Sequence, residues 1–270
     1  MNSNHNQPLS EQEHFVEGLF LKEIAPIEIP AEPYPLVMIH GSCHGWWAFE
    51  EWMRFFAHQG WRSFSISLRN HPPSYSVPMS DYLRLKVCDY TEDALTAIEY
   101  VGGRPILMGH SLGGIIAQKA ASQAKVAAMV LVSSVGPGQL GKMRDPYPLD
   151  QAIMPKPEDA RKDWFHEIAQ EDFMAIYARL VPESPSVIND YSNGKLRIER
   201  DAIGCPVLVV GAEFDRTPVH SAKALADFYG AELLRAAGCG HDVMLEPPGR
   251  RKATNIERWL RDRLGTGAGG

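Results

Sequence analysis

Cysteine is scarce in this chain: four of its 270 residues are cysteines, and no two of them form a Cys-x-x-Cys pair. They lie at positions 43, 88, 205 and 239. A small secreted domain held by disulfides has a denser set of cysteines, and a structural zinc site typically has closely spaced ligand pairs such as Cys-x-x-Cys. These classes are excluded, and we expect reduced thiols in a cytoplasmic protein.

Long hydrophobic runs are also missing. No stretch approaches the roughly 20 apolar residues that a membrane-spanning helix requires. The polar segment from Met1 to Gln12 has neither the basic beginning nor the apolar middle of a secretory signal. We therefore predict no membrane span. We also predict flexible tails over residues 1–13 and over the glycine-rich residues 265–270.

Positive charge is not in excess, because 27 lysines and arginines stand against 33 acidic residues and the net charge is −6. Such a chain has no electrostatic attraction for nucleic acid or for an anionic membrane surface. The one dense basic run, at residues 250–252, adjoins a predicted helix and is typical of a solvated helix face. We expect a small-molecule substrate, no nucleic-acid or membrane partner, and a monomer or homodimer.

Short apolar runs that alternate with longer amphipathic stretches dominate the chain. Six of these runs have the length of buried strands: residues 36–39, 62–67, 105–108, 128–132, 206–210 and 231–234. Residues 81–100 are typical of a helix with Ser80 as its N-cap. The alternation predicts an α/β fold with a mostly parallel central sheet and helices on both faces. Residues 14–24 should add antiparallel strands at one edge.

The alternation stops between residues 136 and 204. This stretch has no strong strand pattern and carries aromatic side chains in amphipathic helical windows. A connection of this length without structure would be unusual, since structureless connections longer than about 12–15 residues are uncommon. We therefore predict a helical cap over residues 136–204, inserted between two parts of one core, residues 14–135 and 205–264.

Residues 109–113 read Gly-His-Ser-Leu-Gly and match the pattern G-x-S-x-G. They lie between a predicted strand and a predicted helix, which is the context of a nucleophile elbow. The serine there occupies a sharp turn that leaves no room for side chains two residues away on either side. This context predicts Ser111 as a nucleophile. It also predicts the amide of Leu112, at the start of the helix, as a donor to a developing oxyanion.

A serine hydroxyl needs a base, and proteins with this elbow supply an acid and then a histidine further along the chain. Asp215 and His241 follow the fifth and sixth predicted strands, so both should reach the same sheet edge as Ser111. We predict His241 as the general base and Asp215 as the residue that orients it. Glu213 and Asp242 are alternative acids. Without catalysis, the aspartate would be a helix N-cap and the histidine an ordinary loop residue.

The loop after the first central strand, residues 40–46, should supply the second oxyanion donor. Gly41 lets the backbone approach the elbow, and the amide of Ser42 is the candidate donor. His40 and His44 have the spacing of a metal-binding pair on a helix, but they flank a glycine loop, so we expect no metal. The residues expected to contact the substrate are Gly41, Cys43, Trp46, His110, Trp164, Phe173 and Tyr177.

Residues 136–141 fit the dinucleotide-binding pattern G-x-G-x-x-G after a strand. A dinucleotide site needs a helix that starts within this pattern, so that the helix N-terminus faces the pyrophosphate. Pro146 and Pro148 follow closely and disfavour such a helix. We expect no organic cofactor here, and we assign the segment to the beginning of the cap.

These motifs together resemble the α/β-hydrolase superfamily from about residue 36 to residue 262. Residues 40–46 are similar to the H-G-x-C-H-G-x-W loop of the plant methylesterase and hydroxynitrile lyase group, and residues 240–247 are similar to its histidine loop. The resemblance implies a Ser-Asp-His triad and two oxyanion amides: Ser111, Asp215 and His241, with Ser42 and Leu112.

The chemistry expected of these residues is hydrolysis of a small, fairly hydrophobic ester, lactone or thioester through an acyl-enzyme. Residues 67–74 depart from the D-x-x-G-x-G-x-S loop of many superfamily members, so they carry no information about the substrate. A triad-based lyase or carbon–carbon bond hydrolase and a slow-turnover ligand receptor remain alternatives. Against the lyase, Asp242 stands where the resembling lyases have lysine, and Gly41 where they have threonine.

Overall fold

The computed structural model of the chain describes residues 8–27, 32–217 and 219–265. Within these residues, eight strands form one sheet in the order β1-β2-β4-β3-β5-β6-β7-β8. The strands are β1 (Leu9–Val16), β2 (Leu19–Pro26), β3 (Leu36–Ile39), β4 (Ser63–Ser67), β5 (Ile106–His110), β6 (Ala128–Val132), β7 (Val207–Ala212) and β8 (Glu232–Ala236). The β1–β2 and β2–β4 pairs are antiparallel, and the other pairs are parallel.

Helices connect the parallel strands. Those within the described residues are α1 (Glu50–His58), α2 (Met79–Tyr82), α3 (Val87–Val101), α4 (Leu112–Ala121), α5 (Pro157–Trp164), α6 (Gln170–Tyr177), α7 (Pro185–Ser192), α8 (Ala222–Tyr229) and α9 (Arg250–Leu264). None of the helices in this described part of the chain combines the length and the hydropathy needed to cross a bilayer.

The sheet is covered on both faces, and its strands alternate between them. Val37 and Ile39 of β3 pack in one apolar cluster with α3, α4 and α8, whereas Leu36 and Met38 pack in the other with α1 and α9. All four side chains are fully buried. A strand covered on both faces must be apolar throughout, which explains the uninterrupted runs in the sequence. The predicted α/β fold, with a mostly parallel sheet and helices on both faces, is confirmed.

The antiparallel edge begins earlier in the chain than predicted. β1 starts at Leu9 and pairs with β2 residue by residue, so a tail over residues 1–13 was wrong for residues 9–13. The two strands are joined by Glu17 and Gly18, both with positive φ (52° and 84°), a combination that favours a tight hairpin. The polar β1 lies at the edge of the sheet, where one face meets solvent. Residues 1–7 and 266–270 of the predicted tails lie outside the described residues.

The helix predicted over residues 81–100 is two helices. α2 ends at Tyr82 and α3 begins at Val87, so Ser80 lies inside α2 and is not the N-cap of the long helix. The start of α3 is fixed instead by Asp89, whose carboxylate accepts a hydrogen bond from the Lys86 amide at 2.6 Å. A carboxylate in the first turn of a helix also interacts favourably with the positive end of the helix dipole.

The chain leaves the sheet after β6 and returns at β7. In between, α5, α6 and α7 form a helical insertion, and a short antiparallel bridge joins Ile153 to Glu183. Ala160, Phe165 and Phe173 pack as a small apolar cluster inside it. Residues 138–140, within the G-x-G-x-x-G pattern, form a short 3-10 turn. The insertion therefore carries its own apolar cluster and stands at the carboxyl end of β6, beside the elbow.

Candidate active site

Ser111 stands at a strained turn between β5 and α4. Its backbone angles are φ 51° and ψ −116°, a region that non-glycine residues rarely occupy. The flanking glycines make this turn possible. A Cβ at Gly109 would lie 2.2 Å from the carbonyl oxygen of Gly113, and a Cβ at Gly113 would lie 2.1 Å from that of Ile39. The G-x-S-x-G spacing is thus a packing requirement of this turn.

Two backbone amides flank the serine. Leu112 is the first residue of α4, and the first N–H groups of a helix have no partner within it. Ser42 lies in the turn that the His44 amide closes onto the Gly41 carbonyl at 3.3 Å. That turn packs tightly against the elbow, because a Cβ at Gly41 would lie 3.0 Å from the Ser111 Cβ. Ser42 and Ser111 line the same cavity.

Asp215 contacts the ring of His241. The distance from His241 Nδ1 to Asp215 Oδ2 is 2.9 Å, and the Thr217 amide donates to Asp215 Oδ1 at 2.9 Å. The two alternative acids are bound elsewhere. Glu213 pairs with Arg235 at 2.8 Å and accepts from the Gly238 amide, while the Asp242 carboxylate turns towards another histidine. Among these three acids, Asp215 is the one positioned to orient His241.

The charges around His241 favour its protonated form. Burial lowers the pKa of His241, but the negative charge and hydrogen bond of Asp215 and the charge of Asp242 outweigh it and raise this pKa above its ordinary value. Burial likewise opposes ionisation of Asp242, yet His44, through its charge and its hydrogen bond, outweighs burial and holds the pKa of Asp242 below its ordinary value. A buried carboxylate anion therefore lies next to His241.

Two further histidines support this arrangement. His44 lies 3.1 Å from Asp242 Oδ2 through Nε2 and 2.8 Å from the Ser42 carbonyl through Nδ1. Burial, together with the neighbouring His241, lowers the pKa of His110 to about 3, so this ring is neutral. His110 Nε2 lies 3.1 Å from the His241 carbonyl oxygen. Together the two rings connect the loop of residues 40–46, the serine elbow and the loop that carries His241.

The two histidines of the 40–46 loop do not share a site. His40 lies 2.8 Å from the Gly41 carbonyl through Nδ1, and its Nε2 accepts from the Leu68 amide at 3.1 Å. Both of its ring nitrogens are therefore used within the loop packing. His110, His241 and Asp242 bring three ligand-type atoms within 4.8 Å of one another. One of them belongs to the His241 ring, which Asp215 contacts.

A cavity of about 350 Å³ opens beside Ser111. Its floor comes from the core and includes Ser42, His110 and His241, and its walls come largely from the helical insertion. The insertion residues among them are Arg144, Tyr147, Ile153, Pro155, Asp163, Trp164, Ile188 and Tyr191. Apart from Trp164, these residues could not be predicted from the sequence, because nothing in their spacing shows which side of the insertion faces the sheet.

The predicted substrate contacts divide into two groups. Cys43, His110 and Trp164 line the cavity, and Gly41 lies directly behind it against Ser111. Trp46, Phe173 and Tyr177 do not line this cavity. Trp46 packs against Phe20. Phe173 is buried against Phe165 with 1% of its surface exposed. The Tyr177 hydroxyl donates a hydrogen bond to the Pro155 carbonyl. Aromatic content alone does not distinguish a core from a pocket.

Glu183 is a fully buried carboxylate of the insertion that contacts the loop of residues 40–46. Cys43 has a positive φ of 68°. Its amide donates to Glu183 Oε2 at 3.4 Å, and its carbonyl accepts from the Val181 amide at 2.9 Å. Tyr90 Oη also donates to Glu183 Oε1 at 2.8 Å. The insertion thereby holds the loop in its strained conformation across some 140 positions of sequence, a contact that no local motif could reveal.

The family model described as the alpha/beta hydrolase family matches residues 36–252. Among curated proteins, Methylesterase 9 from Arabidopsis thaliana is 32% identical over 105 residues, which is 37% of this chain and 40% of that protein. The chain thus matches well under half the length of this relative.

Several solved structures share the fold. An N-acyl homoserine lactonase matches with a TM-score of 0.71 and 16% identity, covering 97% of this chain and 100% of that one. A methylesterase from Arabidopsis matches with a TM-score of 0.70 and 18% identity, covering 85% and 99%. A putative aryl esterase from Burkholderia cenocepacia matches with a TM-score of 0.69 and 18% identity, covering 95% and 100%. At these identities the likeness concerns the fold.

The family match spans most of the sequence, and it includes the elbow, Asp215 and His241. The sheet order, the strained serine turn and the helical insertion after β6 agree with it. The chain belongs to the alpha/beta hydrolase family.

Proposed function

We propose that this protein hydrolyses small carboxylic esters, lactones or thioesters through an acyl-enzyme formed on Ser111. The observation that carries the proposal is the 2.9 Å contact between Asp215 and His241, in a cavity that Ser111 also lines. A serine on a strained elbow, a histidine with a raised pKa and an orienting carboxylate are the parts that acyl transfer requires. The methylesterase similarity supports the same class of reaction.

In the proposed mechanism, Ser111 Oγ attacks the substrate carbonyl while His241 takes its proton. The negative charge that develops on the carbonyl oxygen is stabilised by the amides of Ser42 and Leu112. His241 then returns the proton to the leaving alcohol or thiol, and the acyl group stays on Ser111. A water molecule attacks this acyl ester with His241 again as the base, which releases the acid and restores the serine.

A panel of short-chain nitrophenyl esters, lactones and thioesters, assayed beside mandelonitrile, tests this proposal. We expect turnover of members of the first three classes and no release of cyanide. The buried anion of Asp242 beside His241 is the reason, because it would oppose a cyanide anion in the same place. Cyanide release faster than cleavage of every ester, lactone and thioester would overturn the proposal. So would an inert protein that binds the compounds without turnover.

The pH dependence of kcat/KM should report the charges next to His241. Only the unprotonated ring can act as a base, so kcat/KM for a neutral ester should rise with pH and then level off. Because the pKa of His241 is raised, the midpoint should lie above the ordinary value of about 6.5. Asp242→Asn removes a negative charge that stabilises the protonated ring, so it should move the midpoint to lower pH.

Glu213→Gln is the matched control for this profile. Glu213 is also an acid of the loop region near His241, but it pairs with Arg235 at the surface and should leave the midpoint in place. The proposed effect of Asp242 on the pH profile is wrong if both variants give the wild-type midpoint, or if Glu213→Gln shifts the midpoint more than Asp242→Asn does.

We further propose that residues 136–204 act as a cap that shapes the acyl pocket. Trp164 lines the cavity, whereas Phe173 is buried within the insertion. Trp164→Ala should therefore change the relative kcat/KM of esters with different acyl chains. Phe173→Ala should instead cost about 3–5 kcal/mol of stability, measured by denaturant unfolding, and leave the order of preference unchanged. The proposal fails if the two variants alter substrate preference equally.

A further inference from the structure

Arg144 brings a fixed positive charge to the wall of the Ser111 cavity. It belongs to the stretch between β6 and α5 and lines the cavity together with Tyr147 and Tyr191 of the insertion. Among the lining residues that the structure describes, it is the one lysine or arginine. The net charge of the chain is −6, so this positive charge is opposite in sign to the net charge of the protein.

The guanidinium is held in place by an aromatic ring. Its central carbon lies 3.7 Å from the centre of the Tyr147 ring, which is a close stacking distance for an arginine. Its charge also reaches the neighbouring Tyr191. Burial, with the charge of Glu183, raises the pKa of that phenol, while the hydrogen bond of Ser42 and the Arg144 charge partly offset the rise. The cation is therefore fixed on the side of the cavity where the oxyanion loop lies.

The guanidinium of Arg144 lacks a carboxylate partner among the described residues. Within the described part of the chain, Arg144 has no acidic side chain at ion-pair distance, and its Nε atom is buried without a hydrogen-bond partner. The adjacent acid, Asp145, is bound by Lys142 at 2.6 Å. A buried guanidinium N–H without a partner is unfavourable unless something else accepts from it. A ligand in the cavity can supply that acceptor.

Two acidic residues, Asp163 and Asp242, also line this cavity. Asp242 is bound to His44 beneath the catalytic ring. Asp163 lies next to Thr217, whose hydroxyl donates to the Asp163 carbonyl at 3.3 Å and whose amide binds Asp215. Asp242 is thus paired with a histidine, and within the described residues neither of these two acids forms an ion pair with Arg144.

We propose that Arg144 binds a carboxylate that belongs to the substrate, so that the preferred substrate is an anionic ester. This inference rests on the proposed hydrolase function and names its substrate class. A planar carboxylate matches the fork of a guanidinium through two parallel hydrogen bonds, which a point-like ammonium cannot reproduce. Half-esters of short dicarboxylic acids have the required form, with the ester at Ser111 and the free acid at Arg144. The substrate is thus less uniformly hydrophobic than the sequence indicated.

The test compares monomethyl esters of succinic, glutaric and adipic acid with methyl esters that end in a carboxamide at the same position. The two groups are nearly equal in shape and differ in charge. For the chain length that fits, the wild-type protein should prefer the carboxylate by roughly tenfold to a hundredfold in kcat/KM, mainly through KM. In Arg144→Gln, the ratio of carboxylate to carboxamide should fall to about one or below. Arg144→Lys should give an intermediate ratio.

Arg179→Gln is the matched control. Arg179 is also an arginine of the insertion stacked on an aromatic ring, 4.4 Å from the centre of Trp47, but it does not line the cavity. Its loss should leave the carboxylate preference as in the wild type. A preference that survives Arg144→Gln, or that Arg179→Gln removes equally, overturns the assignment of the subsite.

The wild-type ratio alone can also overturn the proposal, so the test does not depend on the folding of any variant. If neutral esters are cleaved as well as or better than every half-ester, the anionic subsite is wrong while the hydrolase function stands. If no ester of either kind is cleaved and a fluorophosphonate fails to react with Ser111, the proposed function itself has failed, and the subsite with it.

Discussion

Replacing Ser111 by alanine should lower kcat for any ester that the wild type cleaves by on the order of 10⁶-fold. The variant should also lose covalent labelling by a fluorophosphonate probe. The proposed mechanism routes every turnover through Ser111 Oγ, and removal of a triad nucleophile leaves only the contributions of binding and of the oxyanion amides. Intact-protein and peptide mass spectrometry give the extent and the position of the labelling.

Ser122→Ala is the matched control for this substitution. Ser122 follows α4, the helix that starts next to Ser111, and its hydroxyl donates to the Lys119 carbonyl away from the cavity. The control should keep both the wild-type kcat and the label. The assignment of the nucleophile is overturned if a serine other than Ser111 carries the label, or if Ser111→Ala is still labelled at the wild-type rate.

The fold was predictable from the sequence because it depends on local, repeated patterns. Residues 36–39 are apolar throughout, and the structure uses them on both faces of the sheet. The serine elbow was equally predictable, since the turn around Ser111 leaves no room for a Cβ at Gly109 or Gly113. Patterns of this kind are set by steric exclusion within a few residues, so they can be recognised without knowing which distant residues pack against them.

The parts that could not be predicted depend on contacts between distant segments. Glu183 supports Cys43, and Arg144 lies near Tyr191, but nothing local distinguishes these residues from other polar residues of the insertion. The structure buries Phe173 inside the insertion and away from the cavity, and this difference from the sequence-based expectation has the same origin. An amphipathic helix in an insertion must bury its apolar face, and the sequence does not state whether it does so against its own neighbours or over a ligand.

Asp215→Asn should lower kcat by roughly 10⁴-fold while leaving the fold intact. The carboxylate accepts from His241 Nδ1 at 2.9 Å, which places the ring proton on Nδ1 and leaves Nε2 free to take the proton of Ser111. An asparagine at this position can keep the hydrogen bond from the Thr217 amide, because Oδ1 is retained. Its NH₂ group, however, offers His241 a donor where the carboxylate offered an acceptor.

The ring should then favour the tautomer with its proton on Nε2, which cannot act as the base towards Ser111. The loss should fall on kcat more than on KM, and thermal unfolding should change little, because only the acceptor on Oδ2 is exchanged.

Glu213→Gln provides the comparison, since Glu213 lies in the same loop region but pairs with Arg235. A larger loss of kcat in that variant, or in Asp242→Asn, would show that a different acid orients His241. The dependence of the rate on pH distinguishes the roles of the two acids that lie closest to His241, Asp215 and Asp242. Asp242→Asn should shift its midpoint with modest loss of rate, whereas Asp215→Asn should lower the rate at every pH.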